Sequence, residues 1–182
     1  ESTVVRVDEA ARRIHVLRPG GVTVDQLREA APHMDIADVS ESAKEADVPR
    51  APGMKYTHYA PQGELVIVRC ADPGSAPAEA RERIARRIRR ELETLRARGA
   101  KTGVLAFRGE ARPAETYPAD LVLDLGPADR PETAARELYA ALRRFDESGI
   151  EAIFAEALPE SGIGRAVMNR LRKAAGGRIL DA

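Results

Sequence analysis

From residue 64 to residue 182 the chain alternates short, uninterrupted apolar runs with longer stretches whose apolar residues recur every three or four positions. Leu65-Val66-Ile67-Val68, Val104-Leu105-Ala106-Phe107, Leu121-Val122-Leu123-Asp124-Leu125 and the run from Ile150 to Leu158 read as strands buried on both faces. Between them, Pro77 to Arg98 places Ile84, Ile88, Leu92 and Leu95 on one helical face, and Gly99 stands where a helix ends. A second amphipathic helix follows Pro131, with Leu138, Leu142 and Phe145 on its face and Gly149 after it. Ser161 to Ala175 gives a third, and Arg178-Ile179-Leu180 a last short strand. Strands alternating with helices predict an α/β fold: a Rossmann-like, doubly wound, mainly parallel sheet covered on both faces.

The first 63 residues are written differently. Ser2-Thr3-Val4-Val5-Arg6-Val7 and Ile14-His15-Val16-Leu17 are two strand-like runs close enough for a hairpin, which Pro19-Gly20 terminates. Thr23 can cap a short helix from Val24 to Ala30. From Pro32 to Gly63 all periodicity is lost and Pro and Gly punctuate the chain, so residues 32–63 read as a linker. Its second half is unusual, because Met54-Lys55-Tyr56-Thr57-His58-Tyr59 gathers two of the four tyrosines and one of the three histidines.

Composition narrows the picture. Lys+Arg and Asp+Glu are equal at 29 each, which argues against a protein built to coat nucleic acid. Charged residues make up 32% and aromatics 4%, the pattern of helices with solvated Arg/Glu faces. Cys70 is the single cysteine, so there is neither an intramolecular disulfide nor a thiolate cluster for zinc; it reads as a buried structural thiol. No apolar stretch approaches the roughly 20 residues of a membrane span, and no signal peptide is present, so the expected compartment is the cytoplasm. A start at Glu1-Ser2-Thr3, directly in a β-branched run, is how a piece of a larger protein would look.

Within the α/β region little chemistry is visible. Asp124 reads as a strand-end polar residue, and Ser161-Gly162-Ile163-Gly164 could cradle a phosphate but lacks the full dinucleotide fingerprint. A helix cap with glycines fitting a tight turn is the simpler reading. Asn169-Arg170 reads as a solvated helical face.

The stronger signal is a resemblance carried by three segments in order. Glu1-Ser2-Thr3-Val4-Val5 followed by Leu17-Arg18-Pro19-Gly20 resembles the closing segment of the YrdC-like threonylcarbamoyl-AMP synthase domain. Ala51-Pro52-Gly53-Met54-Lys55-Tyr56-Thr57-His58-Tyr59-Ala60-Pro61 resembles the interdomain linker of the two-domain members of that family. Gly162-Ile163-Gly164-Arg165-Ala166-Val167-Met168-Asn169-Arg170-Leu171 is similar to the end of their C-terminal domain. The resemblance implies a tail of the YrdC-like catalytic domain over 1–31, an active-site linker over 32–63, and a Rossmann-like accessory domain over 64–182.

It also implies an activity: a nucleotidyl transfer in which L-threonine, bicarbonate and ATP give threonylcarbamoyl-AMP and pyrophosphate, toward N6-threonylcarbamoyladenosine in tRNA. ATP would be a substrate, with Mg2+ carried by the nucleotide. By position, Ser2 corresponds to the residue near L-threonine, and Arg18, Tyr56, His58 and Tyr59 to ATP-contacting positions. No catalytic residue and no metal ligand is assigned within the chain. An acidic residue is usual in the family after the Ser-Thr-Val-Val run, where this chain has Arg6. The family's upstream phosphate-binding residues have no counterpart here, so the chain alone is expected to be inactive. Its expected partners are the three substrates and the later tRNA-modification proteins, without a membrane and without direct tRNA binding. The rival reading is a non-catalytic binding or regulatory module.

Overall fold

The computed structural model describes residues 2–38, 60–72, 74–108 and 117–182. Strands β1 (Val4–Asp8) and β2 (Arg13–Arg18) pair antiparallel as the hairpin pattern predicts, with Asp8 opposite Arg13 and Val4 opposite Arg18. Arg12, at φ 51°, closes the turn, and the Asp8 carboxylate accepts the Ala11 N–H at 2.9 Å. Helix α1 (Val24–Ala30) opens on a reciprocal capping box: Thr23 Oγ1 accepts from Gln26 N, and Gln26 Oε1 accepts from Thr23 N.

Here the structure departs from the sequence reading. Residues assigned to the start of the linker form strand β3 (Asp35–Asp38), parallel to β2, with Ile14 opposite Ile36 and Val16 opposite Asp38. Asp-Ile-Ala-Asp carries one large apolar residue and no period, so the strand exists only because β2 offers an edge. The backbone N–H of Asp35 reaches Arg12 O at 2.8 Å, and its carboxylate pairs with Arg13 at 2.7 Å.

The second unit follows the predicted alternation closely. Its elements are β4 (Glu64–Arg69), α2 (Pro77–Arg96), β5 (Thr102–Arg108), β6 (Leu121–Pro127), α3 (Pro131–Glu147), β7 (Ala152–Glu156), α4 (Gly162–Ala174) and β8 (Ile179–Asp181). The five strands are all parallel, in the order β6-β5-β7-β4-β8. Successive strand residues point to opposite faces. Val68, Val104, Ala106 and Phe154 therefore pack with Ile84, Ile88 and Leu92 of α2. Leu65, Ile67, Leu105 and Ile153 pack with Leu138, Phe145 and Leu171 of α3 and α4.

Close approach is set by glycine. A Cβ on Gly103 would stand 2.6 Å from the Phe145 ring, so the bare backbone lets that ring approach β5 closely. The first sheet meets the second unit at α4, where Arg165 reaches Asp38 and Arg170 reaches the carbonyl of Pro19.

Candidate functional site

Among the described residues two places bear on ligand binding. The first is the open end of the hairpin. Because Val4 lies opposite Arg18, the chain just before β1 passes beside the Arg18 guanidinium. Arg18 donates to the backbone carbonyl of Ser2 through Nε at 3.3 Å and Nη2 at 3.0 Å. Thr3 fastens the same corner: its hydroxyl donates to Val22 O at 2.7 Å and accepts from Val22 N at 3.1 Å. Pro19 and Gly20 are buried behind the half-buried arginine. Two of the five residues singled out from the sequence are thus neighbours, although 16 positions apart. A guanidinium is a planar cation of the kind that meets phosphate or carboxylate oxygens. The contact to Ser2 runs through its backbone, while its side chain lies on an exposed residue. Tyr56, His58 and Tyr59 lie outside the described residues.

The second place is a crevice of about 710 Å³ over the C-terminal edge of the parallel sheet. It opens between neighbouring strands β4 and β7, whose following helices, α2 and α4, leave to opposite faces. That divergence is the topological switch point at which open α/β sheets bind ligands. Ile67, Ile84, Phe107 and Met168 supply apolar wall; Arg69, Arg81, Arg172, Asp72 and Glu160 bring charge. These charges hold one another or the backbone: Arg69 pairs with Asp181 at 2.8 Å, Arg172 with Glu160, and Arg81 donates to the carbonyls of Phe107 and Arg108.

Glu156, at the tip of β7, is the buried carboxylate of the crevice. It accepts the Phe107 N–H at 2.8 Å and the Tyr117 hydroxyl. The Asp72 carboxyl at the rim is held below the usual carboxylate range, first by the Gly74 N–H and then by the Ser75 hydroxyl. No short motif announced this crevice, since its walls come from segments scattered over more than a hundred residues.

Several other readings meet the structure here. Asp124 is structural: it accepts the Gly126 N–H at 2.7 Å and pairs with Arg108 at 2.8 Å. Ser161 occupies the N-cap position of α4 with extended backbone, but its side chain makes no capping bond. Gly164 explains the glycine there, because a Cβ would lie 2.2 Å from Pro159 O. Asn169, read as solvated, is instead 4% exposed, and Arg170 is half-buried. Cys70 is half-buried rather than buried, near Asp72 O at 3.8 Å and Ser75 Oγ at 3.7 Å. Among the described residues no helix is long and apolar enough to cross a membrane.

Comparison with known proteins gives these places a context. A protein-family model described as threonylcarbamoyl-AMP synthase, C-terminal domain, matches residues 22–176. The threonylcarbamoyl-AMP synthase of Pyrococcus abyssi (strain GE5 / Orsay) is 37% identical over 180 residues, 99% of this chain and 47% of that protein. That of Bacillus subtilis (strain 168) is 38% identical over 167 residues, 91% of this chain and 42% of that protein. The crystal structure of P. abyssi Sua5 complexed with L-threonine is similar throughout, with a TM-score of 0.79 at 37% identity, covering 100% of this chain and 47% of that one. The chain spans less than half the length of these relatives.

Proposed function

This chain belongs to the family of threonylcarbamoyl-AMP synthase C-terminal domains, and from that premise we propose that the protein carrying it makes threonylcarbamoyl-AMP. L-threonine, bicarbonate and ATP are the substrates and pyrophosphate is released. The observation that carries the reading is the match of nearly the whole chain, at 37% and 38% identity, to proteins named for this activity. The corner at Arg18 agrees with it.

In this reading residues 1–31 close the YrdC-like catalytic domain, 32–63 are the active-site linker and 64–182 the accessory domain. The carboxylate oxygen of N-carboxylated threonine attacks the α-phosphorus of ATP. The bond from that phosphorus to the α,β-bridging oxygen breaks, and pyrophosphate departs with the electron pair. The protein's share is to gather charge around the phosphates and exclude water. Arg18 offers its guanidinium to phosphate oxygens, Ser2 lies beside threonine, and Tyr56, His58 and Tyr59 cover the nucleotide, which arrives with Mg2+. The product passes to later tRNA-modification proteins in the cytoplasm.

The test uses the intact protein with threonine, bicarbonate and labelled ATP, following pyrophosphate. Threonine-dependent release that falls at least ten-fold in Arg18→Ala, equivalent to about 1.4 kcal/mol of transition-state stabilisation, is the expected result. Replacing Tyr56 and His58 together by Ala should produce a similar loss with the melting temperature unchanged. No threonine dependence in the unaltered protein would sink the reading. Residues 1–182 alone should release none, and a threonine-dependent signal from them would put the catalytic centre inside this chain.

The crevice favours a second reading for residues 64–182 alone, as a binding or regulatory module without chemistry. Filling it with Ala157→Trp should then leave threonylcarbamoyl-AMP formation intact at saturating substrate. Abolished turnover in a folded variant would move chemistry into the crevice.

A further inference from the structure

Among the described residues, helix α4 reaches the first unit through Arg165 and Arg170. In its first turn Arg165 donates to Asp38 Oδ2 at 2.8 Å, across 127 positions of sequence. The Asp38 side chain is only 19% exposed, against 38% for Arg165. A carboxylate withdrawn this far from water costs free energy unless a cation stands beside it. One turn further on, the Arg170 guanidinium donates to Ala166 O at 2.7 Å and to Pro19 O at 3.4 Å, across 151 positions. The bond to Ala166 fixes the guanidinium against its own helix, so it meets Pro19 from a set direction. Asn169, between the two arginines, is buried.

The two partners sit at informative positions. Pro19 is the residue after Arg18. Asp38 is the last residue of β3 and lies opposite Val16 in β2, two residues before Arg18. One helix of the second unit therefore holds both the residue that follows Arg18 and the strand paired beside β2, the strand that carries Arg18. The helix is itself clamped: Gly164 lets its first turn sit directly on Pro159 O, and Val167 and Leu171 are fully buried under the sheet.

We propose that α4 of the accessory unit is a positioning element for the site on the first unit, with Arg165 acting through Asp38 and Arg170 through the Pro19 carbonyl. Neither arginine is a catalytic residue. Each helps fix the strand end that carries Arg18. An exposed surface pair contributes little, but this pair has a withdrawn carboxylate and a second contact on the same helix. The proposal rests on the functional reading above for what Arg18 does; the geometry of the clamp does not depend on it.

The first arm of the test uses residues 1–182 and amide hydrogen exchange. In Arg165→Ala, protection of amides in 14–18 and 35–38 should fall by roughly ten-fold or more while that in β4, β5 and β7 is unchanged, because local opening is governed by the few contacts holding a segment. Arg165→Lys should restore part of it. Asp38→Ala should match Arg165→Ala, and the double variant should be no worse than either single. Unchanged protection in both single variants would overturn the clamp. The second arm uses the intact enzyme. There Arg165→Ala and Asp38→Ala should raise the KM for ATP about five-fold or more, non-additively, while the melting temperature of the second unit holds. Wild-type kinetics in both variants of an active enzyme would overturn the positioning role and leave the proposed activity standing. An enzyme inactive without any substitution would instead remove the functional reading, with the exchange result still deciding the clamp.

Discussion

The two sheets of this chain are written with similar strands and end in different states. β1 and β2 carry Val4, Val5, Val7, Ile14, Val16 and Leu17, as apolar as the runs of β4 or β5. Yet Val5 and Val7 are 37% and 52% exposed, and α1 buries none of its residues. In the second unit Leu65, Val68, Leu105 and Ile153 are fully buried, because helices lie over both faces of the sheet. Strand hydrophobicity is thus not what separates them. What lies opposite each strand decides, since apolar area contributes only when something covers it. The second unit supplies its own cover. The first is a three-stranded sheet with a capped surface helix, joined to the second unit by the arginines of α4.

The sharpest way to break this contrast is to empty the second core. Phe145 is fully buried and packs closely against Gly103. We expect Phe145→Ala to cost about 3–5 kcal/mol and, because α4 is part of the same core, to release the first sheet as well. Denaturant unfolding followed by circular dichroism, with exchange at residues 14–18, measures both. A first sheet that keeps its protection while the second unit melts would show it to be self-supporting.

Next in size is Gly164→Ala. The added Cβ would meet Pro159 O at 2.2 Å, and a backbone oxygen cannot step aside as a flexible side chain can. Displacing the first turn of α4 should cost about 1–3 kcal/mol. It should also loosen Arg165 from Asp38, coupling a change in the second unit to exchange in the first. A loss confined to one of the two units would separate what the structure joins.

The same contrast explains what the sequence made legible. In the second unit period and punctuation agree: Ile84, Ile88 and Leu92 face the sheet as spaced, and Gly149 takes the positive φ that ends a helix. Element order and the parallel sheet followed directly. β3 was missed because Asp35-Ile36-Ala37-Asp38 has no signal of its own and pairs only through β2. Asn169 was misread because α4 is covered on more than its sheet-facing side, which a single hydrophobic stripe does not show. Of the candidate site, Ser2 and Arg18 were reached through a family resemblance, and their juxtaposition needed the strand register. The crevice could not be read from sequence at all, since Arg69, Glu156 and Met168 meet only after the sheet is wound.

Removing cover from the first sheet should have a smaller global effect. Val16 is 1% exposed in the central strand of that sheet. Val16→Ala removes two methyl-sized groups, about 1.6 kcal/mol at the usual value per buried carbon. Because the second unit is self-covered, we expect its melting temperature to stay within a degree or so, while amides of β1 and β3 exchange faster. A fall of several degrees in the main transition would mean that the two units unfold as one.

The smallest expected effect tests one polar joint of the second unit by pH. Asp120, just before β6, accepts the N–H of buried Thr102 at 2.7 Å and its hydroxyl at 3.1 Å, tying the entrance of β6 to that of β5. Its carboxyl is held below the usual value chiefly by the Thr102 backbone N–H; burial opposes this, and the Thr102 hydroxyl adds to it. A carboxyl whose folded pKa lies below its unfolded value, about 3.9, binds its proton more readily in the unfolded chain. The stability it contributes is therefore fully present well above pH 4 and is lost as pH falls through the folded value. Asp120→Asn keeps an oxygen acceptor for the N–H but cannot titrate. We expect wild type to exceed this variant in unfolding free energy by about 1 kcal/mol or less near pH 7, the scale of one hydrogen bond. The gap should narrow as the pH is lowered below about 4, with the first sheet's exchange the same in wild type and variant at each pH. Urea unfolding of both proteins between neutral and acid pH gives the comparison. A difference that stays constant over that range would show that the Thr102 joint does not depend on the charge of Asp120, and that the pairing of β5 with β6 alone sets the local stability.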